Sequence, residues 1–587
     1  MIPKESAIMK PAMNPAPRRS RPAAFATLLA AAALFALPAA AQQSPCSWSR
    51  DLHLVNGVIH TMDPSHPIVH EVAIQDGKFA YVGPLGGRQL NPCTQTIDLH
   101  GRTVVPGLMD DHNHFILFSI RVGNDIRLET ATTIPQALAL LQHRARTVPA
   151  GAWVSTIGDW LPRQFQENRD PTLAELDRAV PHHPVLIVPA FGTAVTNSLG
   201  KQFFASHGVA VSPAGIIAPG DATNAAIAAL RTIQTPADLV RGTRYAQSYM
   251  LRYGVTTSVD MGFFALPGSP DLQDTQAIAT IASANPWTAY NTVAAMDRDH
   301  TLKERVRLFI ISQDQDASLP VLHQRLDDTF PDFGDNRLRI SGIGEFATPW
   351  FGLNWQQGQR PQNFVAALKL IAAHGWTYQQ HTLSNAEVQF TADSYEQVNA
   401  VTPIAKLHWS IAHVPTIEPA TLAAMKRIGV GLALHGWRYL GGAGGGGGQP
   451  ATLPAGPPFR TVLASGIHVG AGSDAGDFAS LDPFLDLYYM ITGRDVTGAL
   501  INNGEQVTRE QAMELYTTDN SWFFPGGDQL GSIQPGKLGD LVVLSADYFN
   551  PAQVSDAGLK QLHSVLTVVG GRVVYSDIPG TTPVSGH

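Results

Sequence analysis

Val104-Val105-Pro106-Gly107-Leu108-Met109-Asp110-Asp111-His112-Asn113-His114 is an apolar run that passes through Pro-Gly and ends in two histidines two residues apart. Side chains alternate along a strand, so His112 and His114 point to the same face. At the C-terminal end of a strand, two such imidazoles can grip one cation. His-x-His alone is a weak signal in a chain with 21 histidines, and the lead-in ending in Pro-Gly strengthens it. With only 2 cysteines in the chain, a metal site is expected to use imidazole and carboxylate rather than thiolate.

Upstream of this stretch the sequence alternates as strands do. Leu52–Val55, Asn56-Gly57 and Val58–His60 read as strand, turn and strand. Val72–Ile74, a turn at Gln75–Lys78, Phe79–Gly83 and Ile97–Val105 continue the pattern. The far end repeats it, with Leu541–Leu544, Val565–Val569, a Gly570-Gly571 turn and Arg572–Tyr575. Residues 46–105 and 526–580 are therefore expected to build one small β-sandwich from both chain ends. Between them, residues 106–525 alternate strand-like runs with helical stretches such as Phe364–Ala373. Val185–Val188, Thr256–Val259, Leu338–Ser341, Ser410–His413 and Gly431–Leu434 are the clearest strands. That alternation predicts an α/β fold with a parallel sheet, open or closed into a barrel. A bare barrel needs about 250 residues, so insertions are expected, chiefly between Phe118 and Thr243. The glycine-rich run Gly441–Gly448 reads as a loop after a strand or as a linker.

The 587 residues allow two domains, or one large barrel with an attached module. Hydrophobic residues at 44% and charged ones at 15% describe an ordinary folded chain. A net charge of −8, with no Lys/Arg cluster, argues against a nucleic-acid partner. Residues 1–41 read as a signal peptide. Arg18, Arg19 and Arg21 form the basic start, Ala23–Leu37 the apolar core, and Pro38-Ala39-Ala40-Ala41 the cleavage region. The core is short and Ala-rich, which favours cleavage over a membrane anchor. The expectation is a periplasmic or secreted protein with no membrane partner once the peptide is removed. The Arg18-Arg19 pair leaves the twin-arginine route open beside the general one. In an oxidising compartment Cys46 and Cys93 could form a disulfide, two unpaired thiols being the alternative.

Pro106–His114 resembles the first-strand signature of the amidohydrolase superfamily. Gly531–Leu544 resembles that superfamily's return into its β-sandwich, and Gly254–Asp260 and Gly472-Ser473-Asp474 match it in order. The YtcJ-like group, amidohydrolase family 3, is the most similar branch. The resemblance implies a metal-dependent (β/α)8 TIM barrel with a small β-sandwich, holding Zn²⁺ as one or two divalent ions per chain. By it, His112 and His114 are first-strand ligands. His381, in Tyr378-Gln379-Gln380-His381-Thr382, matches the fifth-strand ligand. His413, in Ser410-Ile411-Ala412-His413-Val414, matches the sixth-strand one. Asp474 matches the eighth-strand aspartate, which binds metal and shuttles the proton.

Two departures stand out. Many relatives carry a bridging, carboxylated lysine on the fourth strand. This chain reads Ile340-Ser341-Gly342-Ile343-Gly344-Glu345-Phe346, where Glu345 could bridge two cations or only orient a ligand. Related chains also place a histidine in the segment matching Pro189–Ser198, and this one lacks it. His435, Trp437 and Arg438 are the expected replacements as substrate contacts, with loop packing as the alternative. Trp350, Phe351, Trp355 and Trp376 would likewise suit an apolar or aromatic substituent, or simply pack. The reaction the resemblance implies is hydrolysis of an amide-type C–N bond in a small molecule by metal-activated water. Ester or lactone hydrolysis would use the same chemistry. Heterocycle deaminases carry a Glu where this chain has Ser384, which ranks deamination lower. A secreted binding protein with a decayed site is the non-enzymatic alternative, and the complete ligand set argues against it. Substrate identity and oligomeric state are not legible in the sequence.

Overall fold

The computed structural model describes residues 51–581 and 583, except 87–90, 191, 263–289, 313, 315, 349–357, 359, 445–452 and 477. The expected signal peptide, Cys46, Trp350, Phe351 and Trp355 lie outside the described residues. Cys93 is disulfide-bonded. Among the described residues, no helix is long and apolar enough to cross a membrane.

Eight parallel strands form the central sheet: β1 (Leu108–Asn113), β2 (Val255–Asp260), β3 (Arg305–Ile310), β4 (Leu338–Glu345), β5 (Tyr378–His381), β6 (Ser410–His413), β7 (Gly431–His435) and β8 (Val469–Gly472). They lie side by side in chain order, and the short strand Phe333–Gly334 pairs antiparallel with β4. The ring shuts just beyond β8. The Asp474 amide donates to the His112 carbonyl at 2.8 Å, and the His114 amide to the Ala475 carbonyl at 2.8 Å. The Ser473 hydroxyl donates to Asp110 at 2.6 Å. This approach needs glycine at position 472, where a Cβ would come within 2.6 Å of the His112 nitrogen. Alternation sorts the strand residues into an inner and an outer layer. Met109, Val259, Phe309, Ala412 and Ala433 pack together inside the barrel. Val255, Val306, Leu308, Ile411 and Leu432 pack in the outer layer with helical residues such as Phe364, Leu368 and Met425. Strands covered on both faces are why the apolar runs were near-continuous in the sequence.

Both chain ends share one eight-stranded sheet, ordered Arg572–Ser576, Ser564–Val569, Leu541–Leu544, Thr103–Pro106, Leu52–His60, Ile68–Gln75 and Lys78–Gly83, with Gln95–Asp98 beside Leu52–His60. The sheet curls so far that Lys78, at one edge, bridges to Leu538, just ahead of Leu541–Leu544. Leu54, Val72, Val104, Leu541 and Val568 fill the fold between. The Asn56-Gly57 pair, expected to turn a hairpin, instead makes an irregularity inside one continuous strand, Leu52–His60. Asn56 takes the left-handed conformation, with φ of 58°, a change of direction that bulges accommodate without reversing the chain.

The largest insertion lies between β1 and β2. It holds a five-stranded sheet ordered Ile216–Ile217, Ala194–Thr196, Val185–Val188, Val154–Ile157 and Asn124–Asp125. Val185–Val188 therefore belongs to this inserted sheet and not to the barrel. Its alternate residues feed two cores, Val185 and Ile187 packing with Leu141 and Leu176, and Leu186 and Val188 with Phe204 and Ile227.

Candidate metal centre

Six side chains converge where strands β1, β4, β5, β6 and β8 end: His112, His114, Glu345, His381, His413 and Asp474. These are C-terminal strand ends, the face on which barrel enzymes keep their chemistry. All six are buried, and only Asp474 (7% exposed) and His381 (9%) retain appreciable surface. Three potential ligand groups overlap here: His112 with His114 and Asp474, Glu345 with His381 and His413, and His112 with His413 and His435.

The two carboxylates tie these groups together. Asp474 Oδ1 faces His112 Nε2 at 3.4 Å and His114 Nε2 at 3.5 Å, while its Oδ2 lies 3.6 Å from His413 Nδ1. Glu345 presents Oε1 to His114 Nε2 at 3.6 Å. Its Oε2 lies 3.6 Å from His112 Nε2, 3.3 Å from His413 Nε2 and 2.6 Å from His381 Nδ1. Glu345 thus reaches both the first-strand pair and the fifth- and sixth-strand pair.

A divalent cation fits this donor set. Two donors about 2.0–2.2 Å from one tetrahedral ion stand ~3.3–3.6 Å apart, which is the spacing of His112 and His114 from the two carboxylates. Second, His112 Nε2 is buried without a hydrogen-bond partner, whereas His112 Nδ1 donates to the Gln379 side-chain oxygen. That bond fixes the tautomer and leaves the Nε2 lone pair aimed at the carboxylates. The electrostatics agree. Burial alone would raise Glu345, but the neighbouring His381 charge and hydrogen bonds from His381 and His413 hold it below the usual carboxylate range. Burial would raise Asp474 too, and His413, His112 and His114 hold it well below. Burial pushes His413 down to about 4, against the pull of Asp474. Two carboxylates held ionised in a buried cluster, with His112 and His381 raised by them against the effect of burial, make a set that calls for positive charge. The backbone is strained at the same place, with left-handed φ at His413 (71°), Val414 (40°) and Asp474 (57°).

The expected substrate contacts part company. His435, at the end of β7, is fully buried inside the cluster, its Nδ1 2.7 Å from His413 Nδ1. Burial, then His112 and His413, hold it well below its ordinary pKa. Arg438 lies 4.2 Å over the Trp437 ring and donates to the Ala443 carbonyl at 3.1 Å. Trp376 precedes β5, away from the strand's site end, and is buried in the outer core. Its ring position is therefore a packing one. Ser384 caps the helix Asn385–Asn399, its hydroxyl accepting from the Glu387 amide at 3.3 Å while Glu387 accepts from the Ser384 amide.

The sequence reading missed two residues. Gln379 lies two positions before His381 on β5, so period-two alternation could have flagged it. Asp260, at the end of β2, accepts from the amides of Ile116 at 2.7 Å and Gly262 at 3.0 Å, fixing the turn after His114. Burial pushes it up to about 6.

Comparison with known proteins identifies the family. The chain is 24% identical to an N-substituted formamide deformylase from Arthrobacter pascens, over 90% of this chain and 98% of that one. It is 21% identical to YtcJ of Bacillus subtilis (strain 168), over 88% and 98%. Among solved structures, an uncharacterized metal-dependent hydrolase from Pyrococcus horikoshii OT3 superimposes with a TM-score of 0.58, at 18% identity, over 86% and 99%. Residues 95–575 match the amidohydrolase family model, which takes in the barrel, its insertion and five of the eight strands of the terminal sheet, the last but for Ser576. The chain belongs to the amidohydrolase family.

Proposed function

We propose that the protein is an exported, zinc-dependent hydrolase that cleaves an amide-type C–N bond in a small molecule. The observation that carries this reading is the pair of buried carboxylates, Glu345 and Asp474, standing at metal-ligand spacing from His112 and His114. Imidazole and carboxylate donors without thiolate suit Zn²⁺. His112, His114 and Asp474 would hold one ion, His381 and His413 a second, and Glu345 would bridge them. Bound there, the cation supplies acidified water and a polarised carbonyl. Asp474, ionised and reaching the surface of the cluster, accepts a proton from the attacking water. It then delivers that proton to the leaving nitrogen as the C–N bond breaks, so that amide and water become acid and amine. Gln379 holds His112 in the tautomer that keeps its Nε2 lone pair available. The similarity to an N-substituted formamide deformylase makes N-substituted formamides the first substrate class to test. Ester and lactone hydrolysis would use the same groups. Export rests on the signal-like residues 1–41.

The test is elemental analysis of the mature chain after mild chelation, followed by assay of N-substituted formamides for released formate and amine. Two ions per chain with amide turnover is the expected result. One ion would reduce Glu345 to an orienting role. A folded chain that binds none would overturn the enzymatic reading.

A further inference from the structure

Asp474 sits on a loop whose anchors come from the insertion as well as from the barrel. Two residues on, the Gly476 peptide is gripped on both sides. Its carbonyl accepts from Arg121 Nη2 at 2.7 Å, and its amide donates to Asp159 Oδ1 at 3.1 Å. The same Arg121 nitrogen donates to Asp159 Oδ2 at 2.7 Å, closing the grip. Arg127 also donates to Asp159 Oδ2, and both arginines lie near Asp125, at 3.4 and 3.3 Å. Further along the loop, Glu129 accepts from the Leu481 amide at 2.9 Å and from the Tyr249 hydroxyl. Arg121 is 4% exposed and Asp159 1%, so this is a desolvated network in which charged hydrogen bonds are strong.

The local backbone is built for the contact. Asp159 follows the inserted strand Val154–Ile157, and Gly158 (φ 68°) and Asp159 (φ 60°) both turn left-handed to aim the carboxylate at the loop. Gly476 has φ of 148°, and a Cβ there would lie 2.6 Å from the His114 Cβ. The Asp474 loop is thus pressed onto β1 from within and clamped by the insertion from outside.

We propose that Arg121 and Asp159 are positioning residues that hold the Gly476 peptide, and through it set Asp474 against His112 and His114. The insertion is then part of the catalytic geometry and not only a cover over it. This rests on the reading of Asp474 as ligand and proton carrier.

The test compares the full-length wild type with Arg121→Gln, Asp159→Asn and the charge-neutral double variant R121Q/D159N. Three quantities are measured: the rate of zinc release to a chelator, the metal-free unfolding midpoint, and kcat and KM on an N-substituted formamide. Each single variant leaves a buried charge uncompensated, which itself costs stability, so the double variant decides. Zinc release ~10–100-fold faster, with kcat down by a similar factor, KM within about threefold and the metal-free midpoint nearly unchanged, is expected. Wild-type zinc release and kcat in a folded double variant would overturn the proposal. So would losses that merely track the unfolding midpoint. If the wild type binds zinc but cleaves no amide, the functional reading fails, while the zinc-release comparison still decides the clamp.

Discussion

At the C-terminal mouth of the barrel, imidazoles face Glu345 and Asp474 mostly across 3.3–3.6 Å, and His112 Nε2 has no hydrogen-bond partner. At the N-terminal floor, Arg305 meets Asp540 through two bonds of 2.7 and 2.8 Å and donates again to the Asn336 carbonyl at 2.7 Å. Asp540 also accepts from the Gly570 amide at 2.7 Å, tying β3 to the terminal sheet. Both ends bury charge. At Arg305 and Asp540 the floor completes its charges within the protein, whereas the mouth leaves donors spaced for something that binds. In a barrel, that difference separates stability from chemistry.

The largest effect should come from the mouth. Asp474→Asn keeps the shape but loses the proton acceptor, and kcat is expected to fall ~10³-fold or more. Zinc content, measured alongside, should stay near that of the wild type. Substantial turnover in this variant would remove Asp474 as the proton carrier and weaken the contrast between the two ends.

Breaking the floor should do the opposite. Arg305→Met strands Asp540 in a buried position, and losing one partner of such a pair costs about 3–5 kcal/mol. Denaturant unfolding should report that loss, while zinc content and kcat per folded molecule stay unchanged. A variant that lost zinc without losing stability would show the floor to be coupled to the site.

One floor residue breaks the pattern and sharpens it. Glu304, just before β3, is buried with neither carboxylate oxygen hydrogen-bonded, and burial pushes it up to about 8 against the pull of Arg337. An acid whose folded pKa is raised favours the protonated protein. The fold therefore carries no penalty below the unfolded pKa near 4.5, and one that grows as pH rises towards about 8. Glu304→Gln should match the wild type near pH 4.5 and exceed its stability by about 4 kcal/mol at pH 8.5. Equal stability at both pH values would mean that Glu304 finds a partner when ionised.

How much of this was legible depended on how locally it was written. His112, His114, His381, His413 and Asp474 were readable because each sits in a short motif whose strand period and order carry meaning. The barrel strand β3 is poorly marked in the sequence, since Arg305 and Arg307 interrupt its apolar run. Val185–Val188 looked like a barrel strand because a four-residue apolar run reads alike in any buried parallel sheet. Asn56-Gly57 signals a reversal, but Leu52–Val55 before it and Ile59-His60 after it pair with the same strand, Ile68–Gln75, so it is a bulge instead. The clamp on Gly476 had no local trace, for Asp159 and Arg121 lie 317 and 355 residues away in sequence.

The smallest expected effect concerns the loop after β7. Arg438 lies beside His435 in sequence, which made it a candidate for the substrate. In the fold, its guanidinium stacks on Trp437 and holds the Ala443 carbonyl, with burial lowering its pKa. Those contacts prop the start of the glycine-rich loop. Arg438→Ala should therefore cost about 1 kcal/mol of stability, from the lost cation–π and hydrogen bonds. KM and kcat should stay within about twofold of the wild type, far from the collapse expected of Asp474→Asn. A tenfold rise in KM at unchanged stability would instead assign Arg438 to the substrate. The mouth would then extend past the imidazoles onto the β7 loop, and the line between chemistry and support would have to be redrawn there.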